Sequence, residues 1–130
     1  MTAPKHISEE FIKHYFTSEA TTARPTSWEV AIHTGSPGAG DQNEVSDYQY
    51  ARQPVQFTVS DKGTYWEAEN DADVAFPAAS DDAPYEVTHY TIRDGDSGEA
   101  IATGALPVPV PVIEGTIITF PAGRIQVRGI

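Results

Sequence analysis

Apolar and polar residues alternate along most of the chain after residue 26, and this alternation predicts β-strands rather than helices. In residues 27–34 every second position is apolar, which is typical of a strand with one buried and one solvent-facing side. A loop rich in glycine follows, and an alternating segment at 53–60 predicts a central strand. The further predicted strands lie at 64–69, 74–76, 85–94, 99–106, 116–120 and 124–127.

Turn residues and prolines indicate how these strands are joined. Residues 61–63 predict a tight hairpin because the glycine at its end supplies a positive φ, and residues 94–98 predict another. Pro107, Pro109 and Pro111 alternate with valines. Because proline lacks a backbone N–H, this stretch is expected at a sheet edge or in an extended arm. About eight short strands at regular spacing predict an all-β fold, an antiparallel β-sandwich or jelly roll.

One segment with helical periodicity precedes the strands. Ser8 is predicted to cap a helix over residues 9–17, whose first-turn acids would interact well with the helix dipole. Its apolar stripe must dock either on the domain itself or on a neighbouring subunit. The stripe consists of Phe11, Ile12, Tyr15 and Phe16. The chain is therefore divided into a helix with its linker, residues 1–26, and a β domain, residues 27–130.

An excess of acidic residues is the main compositional feature. The chain has 19 acids against 8 bases, a net charge of −11, and few of the bases are lysine. Such a surface repels nucleic acid and anionic membranes. At molar salt the screening length falls to about 3 Å, so the self-repulsion of the chain largely disappears. This composition indicates a protein made for a high-salt cytoplasm; an ordinary acidic protein with a solvated surface is the alternative.

Motifs for catalysis, cofactors, metals and membrane insertion are missing from the sequence. There is no cysteine, no nucleophile elbow, no phosphate-binding loop and no apolar run of the roughly 18–20 residues that span a bilayer. The first ten residues also lack the apolar region of a secretory signal. The acid-rich turn at 94–99 lacks the later ligands of a calcium loop, and a hairpin is the favoured interpretation. We therefore predict no catalytic, cofactor-binding or metal-binding residues.

Residues 43–57 join the polar loop to the central strand and contain further candidate interaction residues. Tyr48 and Tyr50 could stack on sugars, although tyrosines of this kind lie more often in a core or a subunit interface. Arg52 is expected to pair with a carboxylate such as Glu44 and so to hold the loop on the sheet. With the helix stripe, Tyr48, Tyr50 and Arg52 form the predicted set of interaction residues.

Several short elements, in this order, resemble small virion proteins of tailed viruses (Caudoviricetes) that are described as tail-fibre or head-fibre proteins. They are WEVAIHTGSPG at 28–38, NEVS at 43–46 followed by YAR at 50–52, VAFPA at 74–78 followed by VTHYTI at 87–92, and FPAG at 120–123. The chain departs from the pattern at residues 47–49, where glycines are usual, and in its proline–valine stretch.

The resemblance implies a non-enzymatic virion structural protein, a capsid turret, capsid decoration or tail-fibre component displayed for host attachment. It implies a homo-oligomer (a trimer, pentamer or hexamer) that contacts other virion proteins and is made in the host cytoplasm. With the acidic composition, the host is expected to be halophilic, a haloarchaeon. The alternative is a carbohydrate-binding module that recognises host surface glycans through loops 35–48 and 78–84. A small hydrolase is the least favoured interpretation.

Overall fold

A computed structural model describes residues 3–129 and shows a mostly β chain with one short helix. The helix, α1, spans Lys5–Phe16. The strands are β1 Trp28–His33, β2 Gln53–Val55, β3 Phe57–Asp61, β4 Trp66–Asn70, β5 Val74–Ala75, β6 Tyr85–Asp94, β7 Ala100–Val112, β8 Thr119–Phe120 and β9 Gln126–Arg128. About eight strands were expected, and nine are present within the described residues. Residues 1, 2 and 130, which belong to the predicted units 1–26 and 27–130, lie outside the described range.

All strand pairs between these elements are antiparallel, as predicted. One sheet has the order β2-β1-β6-β7, a second has β3-β4-β9, and β5 pairs with β8. Side chains from these sheets and their loops meet in one apolar core, where each fully buried Val, Ile or Phe contributes roughly 1.5–3 kcal/mol. The buried members of this core are Val30, Ile32, Val45, Val55, Val74, Phe76, Ala79, Val87, Ile92, Val112, Phe120 and Ile125.

The predicted central strand at 53–60 is wrong, because the chain changes sheets at Gln56. Val55 pairs with Trp28 in the first sheet, whereas Phe57 pairs with Asn70 in the second. Between them, the carbonyl of Gln56 accepts a hydrogen bond from the N–H of Asp71 at 3.0 Å. The alternation of side chains continues through this point, so the pattern alone does not reveal that the hydrogen-bonding partner changes.

The prediction of a half-buried first strand is also wrong. Ala31 and His33, on the side of β1 expected to face solvent, are completely buried. The loop after β1 folds back over this side, and the Nδ1 of His33 lies 2.7 Å from the carbonyl oxygen of Gln42. Its Nε2 lies 3.0 Å from the hydroxyl of Thr91 on β6. Polar residues therefore line a second, covered face of the sheet.

The prolines near the end of β7 lie inside that strand, which continues beyond the predicted end at residue 106 to Val112. The expectation of an edge position is confirmed, since β7 is the outer strand of its sheet. Its register with β6 shifts between Val87, which pairs with Val110, and His89, which pairs with Ala105, so the shift lies at the start of the proline–valine stretch. The strand can thus remain in the sheet although proline donates no hydrogen bond, because its outer side has no partner strand.

The helix begins earlier than predicted. It starts after Pro4, which has a φ of −59° and makes no side-chain cap, so Ser8 does not cap it. Glu9 consequently lies inside the helix rather than in its first turn, and it forms an ion pair with Lys13 at 2.9 Å. Proline is well suited to a helix start because its fixed φ is already helical and its missing N–H is not needed there. No residue of α1 is buried.

Candidate interaction site

The four predicted stripe residues of α1 are all solvent-exposed. The exposed fractions are 57% for Phe11, 52% for Ile12, 66% for Tyr15 and 73% for Phe16. The sequence left open whether this stripe docks on the rest of its own chain or on a neighbouring subunit. In the structure, the rest of the chain does not cover it. Four large apolar side chains on one short helix form the kind of patch that marks an interaction surface.

The stripe has two parts with different surroundings. Phe11 and Tyr15 line a groove of about 600 Å³ between α1 and the β6–β7 hairpin, whose wall includes Ala100 and Ile101. The linker closes the groove on one side through residues 21–25. The second part of the stripe, Ile12 and Phe16, is outside this lining.

Asp96, in the β6–β7 turn, fixes the end of the linker on the β domain. Its carboxylate accepts hydrogen bonds from the N–H of Thr26 at 2.8 Å, from the Thr26 hydroxyl at 2.9 Å and from the Ser27 hydroxyl at 3.2 Å. The bonds from Thr26, foremost that from its backbone N–H, hold the pKa of Asp96 below its ordinary value. The helix is thus connected to the domain through a linker whose last residues are held in place.

In the β domain, Arg52 and Glu44 form the predicted pair. Nε and Nη2 of Arg52 donate to the two carboxylate oxygens of Glu44, each at 2.9 Å. The Tyr50 hydroxyl donates to the same carboxylate at 2.5 Å. Burial by itself would raise the pKa of Glu44, but the hydrogen bonds from Arg52 and Tyr50 outweigh it and leave the pKa below its ordinary value. The pair holds the loop against the strand that follows it.

Tyr50 belongs to the core rather than to an exposed sugar-binding surface. Its ring stacks against Phe76 with centroids 6.0 Å apart. Burial, and then the hydrogen bond to Glu44, raise the pKa of Tyr50 far above its ordinary value of 10. Of the predicted loop residues, Tyr50 and Arg52 therefore act inside the domain, and only Tyr48 remains largely exposed, at 69%.

Tyr48 connects loops 35–48 and 78–84, the two loops through which a carbohydrate-binding module was expected to recognise glycans. Its hydroxyl donates to Asp81 at 3.1 Å and its backbone N–H donates to Asp82 at 3.1 Å. Loops 35–48 and 78–84 are therefore adjacent, and an exposed aromatic ring lies beside two loop carboxylates. The stripe on α1 and this loop pair are separate surfaces, since none of the loop residues lines the groove.

A comparison with known protein families matches residues 3–128 to the family described as Podophage GP4 fiber I protein gp80. The match covers nearly the whole chain. The protein belongs to this family. It is thus a virion structural protein, a fibre protein of a tailed virus, and the resemblance read from its short elements is confirmed at that level. A search of curated proteins finds no match.

Membership of this fibre family agrees with the prediction of a non-enzymatic protein. Within residues 3–129 there is no group of three or more His, Asp or Glu side chains placed to hold a metal ion. The same residues contain no helix with the length and apolar character needed to cross a bilayer.

Asp47 organises the exposed loop pair of the fibre protein, and sequence reasoning missed it. This buried carboxylate accepts hydrogen bonds from the N–H groups of Gln49 and Ser80, each at 2.9 Å, and from the Tyr85 hydroxyl at 3.1 Å. Burial, and then the bond to Asp47, raise the pKa of Tyr85 to about 12. The bond from Gln49, two residues further on, makes a local Asx-turn. The preference of aspartate for such turns was the signal that the sequence offered.

Arg93 is the second functional residue of the fold that the sequence did not single out. It is 1% exposed, and its guanidinium donates to the carbonyls of Gly40 at 2.6 Å and Gly98 at 2.8 Å. It also pairs with Asp41. Arg93 thereby fixes the loop after β1 to the β6–β7 turn. The available signal was a lone arginine directly after the strand-favouring residues Tyr90, Thr91 and Ile92.

Proposed function

We propose that this fibre protein is a homo-oligomeric virion subunit, a trimer, pentamer or hexamer, that assembles through α1. The single observation that carries the proposal is the uncovered apolar stripe of Phe11, Ile12, Tyr15 and Phe16. Full burial of such side chains contributes roughly 1.5–3 kcal/mol each, which favours their burial in an interface. Other virion proteins of the capsid or the tail would bind the assembled ring. The ring itself would serve as a capsid turret, a capsid decoration or a tail-fibre component.

The distribution of charge supports α1 as the contact. Residues 1–26 carry three bases and three acids, whereas residues 27–130 carry five bases and sixteen acids. The entire net charge therefore lies on the β domain. Copies that meet through a segment without net charge keep their acidic domains apart, so the electrostatic cost of assembly is smallest at this segment.

The test is the mass in solution, measured by light scattering on a sizing column in molar salt. We expect a single species of three, five or six chains. The double substitution Ile12→Ser/Phe16→Ser should reduce it to monomers, whereas Ile117→Ser, which changes an exposed apolar residue of the β domain, should leave the mass unchanged. A wild-type monomer would overturn the proposal.

The proposal also includes the arrangement of the sheets, the division of the chain and the type of host. The sheets that share one core are proposed to form a β-sandwich or jelly roll, with residues 27–130 as the domain and residues 1–26 as the contact arm. The host is proposed to be halophilic, a haloarchaeon, because acids exceed bases by eleven. Such a virus would assemble in the host cytoplasm, where salt screens this repulsion.

A second candidate function, recognition of host surface glycans, is supported by Tyr48. Its exposed ring offers a stacking face, and the neighbouring Asp81 and Asp82 can accept hydrogen bonds from sugar hydroxyls. Tyr48→Ala should abolish binding on a host-glycan array, whereas Trp66→Ala, which removes another exposed aromatic ring, should not. Glycan binding that survives Tyr48→Ala would exclude this site.

A further inference from the structure

We propose that the groove beside α1 receives α1 of the next copy, so that Ile12 and Phe16 of each chain insert between α1 and the β6–β7 hairpin of its neighbour. This inference rests on the proposed oligomer and specifies its geometry. The occupant of the groove is thus a second copy of the chain, and each copy uses two different surfaces, an inserting row and a receiving groove.

The two parts of the stripe lie on different sides of the helix. Successive residues of an α-helix are rotated by about 100°, and residues four apart lie nearly above one another. Phe11 and Tyr15 form one row, and Ile12 and Phe16 form another. The groove is lined by the first row together with Ile7, His14 and other residues of the same side. The second row is rotated by about 100° from the first, away from the other groove-lining residues of the helix, and it does not line the groove of its own chain.

The groove has the character of an unfilled receiving site. Its volume of about 600 Å³ is typical of ligand clefts. Apolar residues lie on both walls, Phe11 and Tyr15 on the helix and Ile101 on the hairpin.

Charge complements this arrangement. Lys5 is exposed and lies on the helix side that carries Ile12 and Phe16, as judged from its position seven residues before Ile12. The hairpin wall of the groove includes Asp94 and Glu99. The inserting side of the helix carries Lys5 and the Glu9–Lys13 pair, a net charge of +1. It would meet a lining in which three acids, Glu10, Asp94 and Glu99, outnumber the one arginine, Arg24, and this reduces the repulsion between copies of high negative charge.

The symmetry of the assembly follows from the use of two different surfaces. Contacts of this type are heterologous, and they form a closed ring when the rotation between neighbours divides a full turn. A two-fold dimer, in which identical patches meet, would instead place the helices of two copies against each other. The groove contact therefore favours trimers, pentamers or hexamers.

Cysteine cross-linking tests the contact directly, because the chain contains no cysteine of its own. We would introduce Phe16→Cys together with Ile101→Cys, verify the oligomer by light scattering in molar salt, and oxidise it. The expected result is a ladder of covalent multimers on a non-reducing gel that ends at the ring size. Each single variant should remain monomeric on that gel. The pair Ile12→Cys/Ile101→Cys provides a second test if Phe16→Cys weakens assembly.

The outcomes distinguish a failure of the groove proposal from a failure of the oligomer proposal. If Phe16→Cys alone gives covalent dimers, the helices meet one another and the groove proposal is wrong. An intact oligomer without a ladder from either double variant also overturns the groove proposal and leaves the oligomer standing. A wild-type monomer in molar salt overturns both.

Discussion

At the scale of single residues, the loop after β1 is held by charges that are themselves largely shielded from water. Glu44 and Arg52 have side chains that are 22% and 30% exposed, and their two parallel hydrogen bonds have the geometry that makes such pairs strong. Removal of Arg52 leaves the Glu44 carboxylate partly buried without its ionic partner and with only the Tyr50 hydroxyl bonded to it. The cost of that loss exceeds the contribution of the intact pair.

We therefore expect Arg52→Ala to lower the free energy of unfolding by about 1–3 kcal/mol, since a partly buried carboxylate loses its partner. The measurement is denaturant unfolding in molar salt. Lys13→Ala is the matched control, because it breaks the Glu9–Lys13 pair on the exposed helix, and a solvent-exposed pair of that kind contributes much less to stability than a partly buried one. Equal losses for the two variants would contradict the role assigned to Arg52.

His33 makes stability depend on pH near neutrality. Burial first of all lowers its pKa below the ordinary 6.5, and nearby Arg93 and Arg52 act in the same direction. The unfolded chain therefore takes up the proton before the folded chain does, so stability falls as pH falls from about 6.5 to the lower folded-state pKa. Above pH 6.5 this contribution is constant.

His33→Asn tests this pH dependence, because asparagine can keep a donor for the Gln42 carbonyl while removing the titration. We expect the free energy of unfolding of the wild type to fall more steeply between pH 6.5 and pH 5.5 than that of the variant. The slopes, rather than the absolute stabilities, are compared in molar salt. Parallel slopes would show that His33 does not cause the dependence.

At the scale of secondary-structure elements, the loop after β1 and strand β7 approach each other too closely for a side chain at Gly40. A Cβ atom there would lie 2.3 Å from the Cβ of Ala100, the first residue of β7. Gly40 also has a φ of +125°, which L-residues rarely adopt. The packing of this loop on the sheet therefore depends on glycine.

Gly40→Ala should accordingly destabilise the protein more than Gly63→Ala. Both positions have positive φ, at which a non-glycine residue costs roughly 1–2 kcal/mol, but a Cβ at Gly63 would meet no atom within 4 Å. The steric overlap at Gly40 should add about 1–3 kcal/mol. Thermal unfolding of the two variants in molar salt measures the difference, and equal midpoints would contradict the close packing.

The prolines of strand β7 limit how copies of the protein can associate. It is an outer strand, and unpaired outer strands readily pair with other chains. Its three prolines remove backbone donors, and proline on an edge is a known protection against such pairing. Edge-to-edge association along β7 is thus disfavoured, which is consistent with the proposed assembly through the helix, a segment without net charge.

At the scale of the whole molecule, the net charge of −11 opposes the compact state. We expect the protein to lose cooperative thermal unfolding when salt is lowered from molar concentration to about 0.1 M, because the screening length then grows from about 3 Å to about 10 Å. Circular dichroism during heating measures this change. Sucrose at matched osmolality is the control, since it favours compact states without screening charge. Unchanged unfolding at low salt would exclude adaptation to high salt.

The sequence by itself determined the features that depend on neighbouring residues. Strand β6 was predicted at 85–94 and spans Tyr85–Asp94, because local alternation between two turn signals defines such a strand. The hairpin around Gly63 was predicted from its turn residues, and the helix stripe from its spacing. The pairing of Arg52 with Glu44 also followed from the sequence, since the two residues are close along the chain.

Only the tertiary structure decided which partner each segment meets. Val55 and Phe57 lie in different sheets, and His33 and Arg93 are buried beneath a loop. The ring of Tyr50 packs in the core. These outcomes depend on contacts between residues far apart in the chain, such as Arg93 with Gly40, and periodicity carries no information about them. The groove beside α1 likewise exists only because the β6–β7 hairpin lies opposite the helix, a juxtaposition that folding alone creates.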